Sequence, residues 1–443
     1  MSSDLAIFGG TPVRKSPFPV AVTTGEEELH AVVEVMKSGL LSGFVGSPGP
    51  EFLGGPRVQR LEQAWCERFE VPFAVSCNSA TSALLMAVGA CEIGPGDEVI
   101  LSPYTMSATA TAVLFYGGIP VFADIEPDYF CLDPVSVRSR ITPRTKAILT
   151  TDIHGQSSAM EALGEIAREH DLWLINDSAQ AAGAKYQGRF AGTLGDIGIY
   201  SLNRHKNIQC GEGGIAVCKD KELALRMQLI RNHGENLTES PGFAPASLTN
   251  MIGFNFRMTE IEAAIALEQL KKLEPINNRR IELEHLISSS LADVPGLRMP
   301  PTRPSATHIF YMQAILFDSQ EAGFARDVFI RAINAEGIPI RGGYLRPLYL
   351  EPLYQKQIAI GDSGFPFRGP HYDGVVNYRK GLCPVAEDLY ENRTIINPFL
   401  FPPLELADMQ CIVDAVFKVM ENGDKLRSFE EEHASTHSGS RRI

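Results

Sequence analysis

The chain has 443 residues, which is enough for two or three domains. With 44% hydrophobic and 21% charged residues, its composition is that of a soluble globular protein. The net charge of -13 argues against a broad nucleic-acid or anionic-membrane footprint, and no apolar run approaches the roughly 20 residues of a membrane helix.

The amino terminus, MSSDLAIFGG, has no basic region ahead of an apolar one and does not read as a signal peptide. The eight cysteines (Cys66, Cys77, Cys91, Cys131, Cys210, Cys218, Cys383 and Cys411) are scattered, and none forms Cys-x-x-Cys. They read as reduced core residues of a cytoplasmic protein, with neither disulfides nor a metal site.

From residue 73 to 218, short apolar runs alternate with helical patterns. The expected strands are Phe73–Ser76, Glu98–Leu101, Pro120–Ala123, Ala147–Thr150, Leu172–Ile175, Ile197–Ser201 and Gly214–Cys218, with an amphipathic helix at Met160–His170. Continuous apolar strands separated by helices predict an α/β fold with a mostly parallel sheet covered on both faces. Ligands then bind beyond the carboxyl ends of the strands.

Residues 236–250 read as a loop. A capping box at Thr259–Glu262 opens a helix expected to run to about Leu273. A second unit follows, with a strand at His308–Phe317, a helix ending near Gly337 and a last helix at Ala407–Met420. The Gly-, Pro- and aromatic-rich stretch 354–382 reads either as a functional loop or as plain surface. The resulting division is an N-terminal segment 1–25, a large unit 26–285, a small unit 286–422 and a disordered polar tail 423–443.

Three features follow strands. Asn78, Ser79 and Thr81 open a helix, where free amides, hydroxyls and the positive dipole end attract an anion. Asp177 ends the run LWLIND, a costly place for a carboxylate without a partner. Lys206 lies between two apolar runs, five residues before Gly211-Glu212-Gly213-Gly214. Taken singly, these are two helix N-caps and a solvated loop lysine. Together they are the parts required to hold pyridoxal 5′-phosphate: an anchor for its phosphate, a carboxylate for its ring nitrogen and a lysine for its carbonyl carbon.

The motifs NDSAQAAGA (176–184), GTLGDIGIYSLNRHKNIQCGEGG (192–214), RNHG (231–234) and GFNFRMTEIEAA (253–264) resemble those of the DegT/DnrJ/EryC1/StrS family of sugar and cyclitol aminotransferases. PYTMSATATAV (103–113), HGQ (154–156), GIP (337–339) and CPVAED (383–388) extend the resemblance over roughly residues 25–420. It implies a fold type I (aspartate aminotransferase-like) transferase. This has a large seven-stranded α/β domain, a smaller C-terminal α/β domain and a homodimer with shared active sites. It also implies glutamate or glutamine as donor, loading the cofactor as its pyridoxamine form, and a keto-sugar or keto-cyclitol as acceptor.

Carried over by position, Lys206 is the Schiff-base lysine and Asp177 pairs with the ring nitrogen. Gln180 approaches the ring's 3-oxygen, and Ser79, Ala80, Thr81 and Ser201 hold the phosphate. Asn255 reaches the phosphate of a neighbouring subunit. Met106 stands where the family places Phe or Trp against the ring, and Asn203-Arg204-His205 replaces the usual residues before the lysine. Tyr104, His205, His233 and Tyr344 are the substrate-side candidates. Two alternatives stay open. One is a sugar dehydratase or deoxygenase, which in this family carries His in the lysine's place. The other is a regulatory protein on the same fold, which predicts a lost constellation or an added DNA-binding module.

Overall fold

The computed structural model describes residues 4–237 and 252–437. Seven strands build the large sheet: β1 (Phe73–Cys77), β2 (Glu98–Leu101), β3 (Ile119–Phe122), β4 (Thr145–Thr151), β5 (Trp173–Asp177), β6 (Ile197–Ser201) and β7 (Gly214–Cys218). Their spatial order is β1-β7-β6-β5-β4-β2-β3. Strand β7 runs antiparallel to both β1 and β6, and every other pair is parallel. The strands read as apolar runs because both faces are covered. In β6, Ile197 and Ile199 join the core on one face, whereas Tyr200 joins the other.

Helix α1 (Glu26–Ser38) packs through Ala31 and Val35 on Ala264, and α2 (Pro56–Phe69), α3 (Ala80–Ala90), α4 (Ala108–Phe115), α5 (Met160–Glu169) and α6 (Lys221–Arg231) flank this sheet. Helix α3 is buried along most of its length. It therefore carries small and apolar residues all round rather than one apolar stripe.

Helix α7 (Glu260–Leu291) continues well past the expected end at Leu273, and the domain boundary placed at 285 falls inside it. Its capping box is formed: Glu262 N donates to Thr259 Oγ1 at 3.2 Å, and Thr259 N donates to Glu262 Oε2 at 2.9 Å. Pro275 does not end the helix. Leu270, Leu273 and Ile276 bury in the large core, and Leu283, Ile287 and Leu291 bury in a second one. Burial at both ends offsets the bond lost at the proline.

The second core surrounds a smaller antiparallel sheet of β8 (Leu297–Arg298), β9 (Gln313–Phe317), β10 (Arg341–Gly342) and β11 (Thr394–Asn397), ordered β8-β9-β11-β10. Strand β9 starts five residues later than the sequence suggested, which leaves His308–Met312 outside the sheet. Helices α8 (Arg326–Ala335) and α9 (Leu406–Glu421) pack on this sheet's core.

The tail reading is corrected for residues 423–437, which form helix α10 (Gly423–His437) rather than a disordered segment. Leu426 is fully buried in the second core and Phe429 meets Phe8 edge-on at 5.5 Å. Two apolar anchors in a polar stretch are enough to dock it. Residues 438–443 of that tail, and 238–250 of the expected 236–250 loop, lie outside the described residues.

The N-terminal segment is tied to the same core. Leu5 is fully buried. The buried carboxylate of Glu336 accepts from Ala6 N at 2.8 Å, Val13 N at 3.1 Å and Lys418 Nζ at 2.8 Å. Replacing Glu336 with alanine strands a half-buried ammonium and two amides. The expected loss of stability is about 3–5 kcal/mol, read as a lowered thermal midpoint. An unchanged midpoint would show that the segment does not depend on this carboxylate.

The 354–382 stretch packs along the β2–β3 edge of the large sheet. Tyr372 Oη donates to Glu98 Oε1 at 2.9 Å, and Tyr378 Oη donates to the Pro120 carbonyl at 2.8 Å. Glu98 and Pro120 stand at the starts of β2 and β3. Tyr354 and Tyr378 also meet the Phe122 ring at the end of β3, with centroids 5.3 and 5.7 Å apart, so these tyrosines are bound into the core. Among the described residues, no helix is long and apolar enough to cross a membrane.

Candidate active site

The carboxyl ends of β4, β5 and β6, the start of α3 and residues 308–311 and 341–344 converge on one side of the large sheet. Asp177 ends β5 and is 5% exposed. Its Oδ2 accepts from Thr109 Oγ1 at 3.1 Å, in a hydroxyl chain that continues through Thr105 to Thr151. Its Oδ1 accepts from Ala179 N at 3.2 Å. No helix follows directly, so Asp177 is not the N-cap that a sequence reading also allowed. Burial pushes its carboxyl above the usual range, against the Ala179 amide, the Lys206 charge and the Thr109 hydroxyl.

Lys206 sits in the turn after β6, its backbone N–H donating to the Asn203 carbonyl at 2.8 Å. Its Nζ lies 4.6 Å from the centre of the Tyr311 ring. Desolvation brings the amine down to about 8, and the Asp177 charge works in the opposite direction. It is therefore cationic below that pH and neutral above it. An amine-specific reagent at limiting concentration should label Lys206 half-maximally near pH 8, well below an ordinary lysine at about 10.4. Labelling that rises only above pH 10 would contradict the desolvated environment.

The Gly211–Gly214 turn brings β7 against the start of α3. A Cβ on Gly214 would meet the Ser79 carbonyl carbon and oxygen at 2.5 Å and Ala80 N at 2.6 Å. This glycine is a close-approach residue. Ser79 Oγ caps α3 by accepting from Ser82 N at 3.1 Å. Asn78 Oδ1 accepts from Ser82 Oγ at 2.7 Å. The opening amides of α3, at Ala80 and Thr81, have no partner within the helix. Ser201 is buried, and its Oγ accepts from Asn203 N at 3.3 Å.

Gln180 joins the two units: Nε2 donates to Tyr344 Oη at 2.9 Å, and Oε1 accepts from His154 N at 2.9 Å. Tyr344 N in turn donates to Tyr104 Oη at 3.0 Å. Tyr104 is fully buried, and its hydroxyl supports Tyr344. Met106 is 56% exposed. His205 is exposed and accepts at Nε2 from Arg204 Nε at 3.2 Å, and burial with the Arg204 charge lowers its pKa. His233 stands apart, its N–H on the Phe254 carbonyl and its Nδ1 4.0 Å from Glu235 Oε1. Asn255 is exposed, bridged to Asn232, and next to Phe256, whose carbonyl accepts from Asn78 N at 2.9 Å.

Sequence reasoning missed Tyr311, Thr109 and Arg280. Arg280 is buried on α7, and its Nη1 donates to the carbonyls of Phe310 and Tyr311 at 3.1 and 3.2 Å. Burial brings it down to about 10. His154 is 2% exposed with both ring nitrogens unpartnered, and burial drives it to about 3, so the ring is neutral. Thr109 lay inside the quoted motif 103–113, but only its reach to Asp177 marks it out.

These residues fit pyridoxal phosphate. The uncapped amides of α3 suit a phosphate, and the buried Asp177, held by two neutral donors, lacks a hydrogen-bonded cation such as a protonated ring nitrogen. The model for the DegT/DnrJ/EryC1/StrS aminotransferase family matches residues 23–417. The spore coat polysaccharide biosynthesis protein SpsC of Bacillus subtilis is 32% identical over 405 residues, covering 90% of this chain and 96% of that protein. The L-glutamine:2-deoxy-scyllo-inosose aminotransferase of Streptomyces kanamyceticus is 32% identical over 434 residues, covering 95% of this chain and 98% of its own. The solved structure of DesV from S. venezuelae superposes with a TM-score of 0.74 at 30% identity, covering 89% of this chain and 94% of DesV. The chain belongs to the DegT/DnrJ/EryC1/StrS family of pyridoxal-phosphate-dependent enzymes and is an aminotransferase of fold type I.

Proposed function

We propose that the chain transfers an amino group from glutamate or glutamine to a keto group of a sugar, nucleotide-linked or phosphorylated, or of a cyclitol. The observation that carries this is the Lys206 amine, tuned to about 8 beside the buried charge of Asp177. A base working near neutral pH is most effective with a pKa close to that pH. When bound, pyridoxal phosphate supplies an electron sink for charge developing at the carbon that loses its proton.

The chain's own residues do the rest. Lys206 holds the cofactor covalently at rest, and its Nζ accepts and returns the proton in each half-reaction. Asp177 keeps the ring nitrogen cationic. The amides of Ala80 and Thr81 with the hydroxyls of Ser79, Thr81 and Ser201 hold the phosphate. Gln180, fixed at both ends of its amide, orients the ring's 3-oxygen. Met106 covers the ring. Tyr344, with His205 and His233 further out, faces the substrate.

A second copy of the chain would complete the site with its Asn255. Phe115 stacks edge-on with Phe254 at 5.5 Å, and Asn232 links Asn255 to the Val45 carbonyl. Around them Leu40, Leu41, Val45, Phe115 and Ile252 are exposed, a grouping that suits a covered apolar patch. The eight unpaired cysteines support a cytoplasmic setting.

The reaction is tested by supplying glutamine labelled with ¹⁵N at its α-amine and screening keto-sugars and keto-cyclitols for labelled amine in the product. A deoxygenated product without new nitrogen would instead select the dehydratase reading.

A further inference from the structure

The rim where β4, β5 and β6 begin and β7 ends carries a solvent-open cavity of about 630 Å³. Small-molecule sites typically measure about 300–1,000 Å³. Strand β5 separates this cavity from the active site. Trp173 opens the strand at the cavity, and Asp177 ends it on the other rim, about 13 Å away.

An aromatic ring and three cations line the cavity. Trp173 is 38% exposed, whereas the chain's other tryptophan, Trp65, is fully buried. Lys146, Arg168 and Lys219 stand at exposed positions and make no ion pair among the described residues. Partial desolvation at the cavity wall and the Arg189 charge lower the pKa of the Lys219 amine, and the Asp196 charge works the other way. An anion beside Lys219 would relieve that repulsion.

The carboxylates in the same wall are mostly committed to backbone amides. Asp220 caps α6, its Oδ1 accepting from Glu222 N at 2.7 Å and Leu223 N at 2.9 Å. Asp196 Oδ2 accepts from Leu174 N at 2.7 Å, and burial raises its pKa. Asp171 is exposed, and its carboxylate has no hydrogen bond among the described residues. Gly164 lies inside α5 in the cavity wall. Outside the helix backbone, nothing comes nearer a Cβ there than Arg168 Nη1 at 3.7 Å, so packing does not demand glycine. A glycine inside a helix is destabilising relative to alanine. Here it leaves the wall bare beside the Arg168 guanidinium.

We propose that this cavity binds a nucleoside phosphate, with the base on the Trp173 indole, the phosphates among Lys146, Arg168 and Lys219, and a ribose hydroxyl on Asp171. The ring and the cations select an aromatic anion together, where either feature alone would select less. Nucleobases stack on aromatic side chains whatever their sequence, phosphate oxygens take charge-assisted hydrogen bonds from Arg and Lys, and a carboxylate accepts from ribose hydroxyls. A cavity of this size takes a single nucleotide, and a net charge of -13 disfavours a longer nucleic acid. The site is independent of the transamination reading.

The test follows tryptophan emission of the cofactor-loaded protein as UDP, ADP or GDP is added. Trp65 packs between Phe69 and Tyr200, so Trp173 is the indole that a base can reach. At least one of the three nucleotides quenches the emission saturably, with a midpoint between about 10 μM and 1 mM. In the double variant Arg168→Gln/Lys219→Gln the midpoint rises at least about 10-fold. In Trp173→Phe the quench disappears. Pyrophosphate reverses the quench, and the matching nucleoside, which lacks the phosphates, binds at least about 10-fold more weakly. All three substitutions are at exposed positions, and an unchanged circular dichroism spectrum confirms the fold. The proposal is overturned by no saturable quench up to about 5 mM of any of the three, by an unmoved midpoint in the double variant, or by a quench that survives Trp173→Phe. A nucleotide held only in the active site gives one of these outcomes.

Discussion

Replacing Lys206 with alanine should lower turnover by about 10⁴-fold or more, since it removes both the covalent hold and the proton carrier. The fold should be nearly unaffected. The turn is held through the Lys206 backbone N–H, which alanine retains, and the side chain lies against the face of Tyr311. A thermal midpoint close to that of the wild type separates lost chemistry from lost structure. Lys206→Arg keeps the positive charge but not its release, because a guanidinium holds its proton to a pKa of about 12 or higher. It should be as inactive as the alanine variant. A Lys206→Ala enzyme with near-normal turnover would sink the assignment, and an active arginine variant would show that charge alone is needed.

The sheet was legible because its strands are buried on both faces, which writes each as an unbroken apolar run. Lys206 and Asp177 were legible for the same reason: each follows such a run, where a parallel sheet exposes its ligand edge. What escaped comes from elsewhere in the chain. Tyr311 reaches the site from the segment before β9, and Arg280 from the long helix that links the two cores. No local pattern marks residues placed by such distant contacts: Tyr311 meets Lys206, and Arg280 holds carbonyls 30 and 31 positions on. For Tyr104 the motif position gives the neighbourhood but not the depth, and the residue is wholly buried. Helix α7 outran its expected end because tertiary burial of Leu283, Ile287 and Leu291 outweighs Pro275. The tail helix rests on Leu426 and Phe429, too few apolar residues for a periodicity to register.

Asp177→Asn should separate activity from stability in the opposite direction to most core changes. Asparagine is nearly isosteric, and its amide can keep a bond to the Ala179 N–H and one to the Thr109 hydroxyl, which is free to rotate. What it removes is the charge. Turnover should fall about 10²- to 10⁴-fold, because a neutral amide no longer holds a proton on the ring nitrogen. The Lys206 amine should titrate lower than about 8, since the Asp177 charge is what opposes its desolvation. Amine labelling should therefore reach its midpoint at a lower pH than in the wild type.

Stability follows from the sign of the Asp177 shift. Burial raises its folded pKa above the unfolded one, so the contribution of this group is full below the unfolded value and declines as pH rises through the folded one. Where it is ionised, Asp177 thus works against the cofactor-free fold. Removing one member of a buried pair usually destabilises by stranding the other, but here Lys206 can shed its proton. The cofactor-free Asp177→Asn protein should melt no lower than the wild type at pH 7. A clearly lower midpoint would mean that Asp177 holds the structure together, and its buried charge would then need no ring nitrogen to explain it.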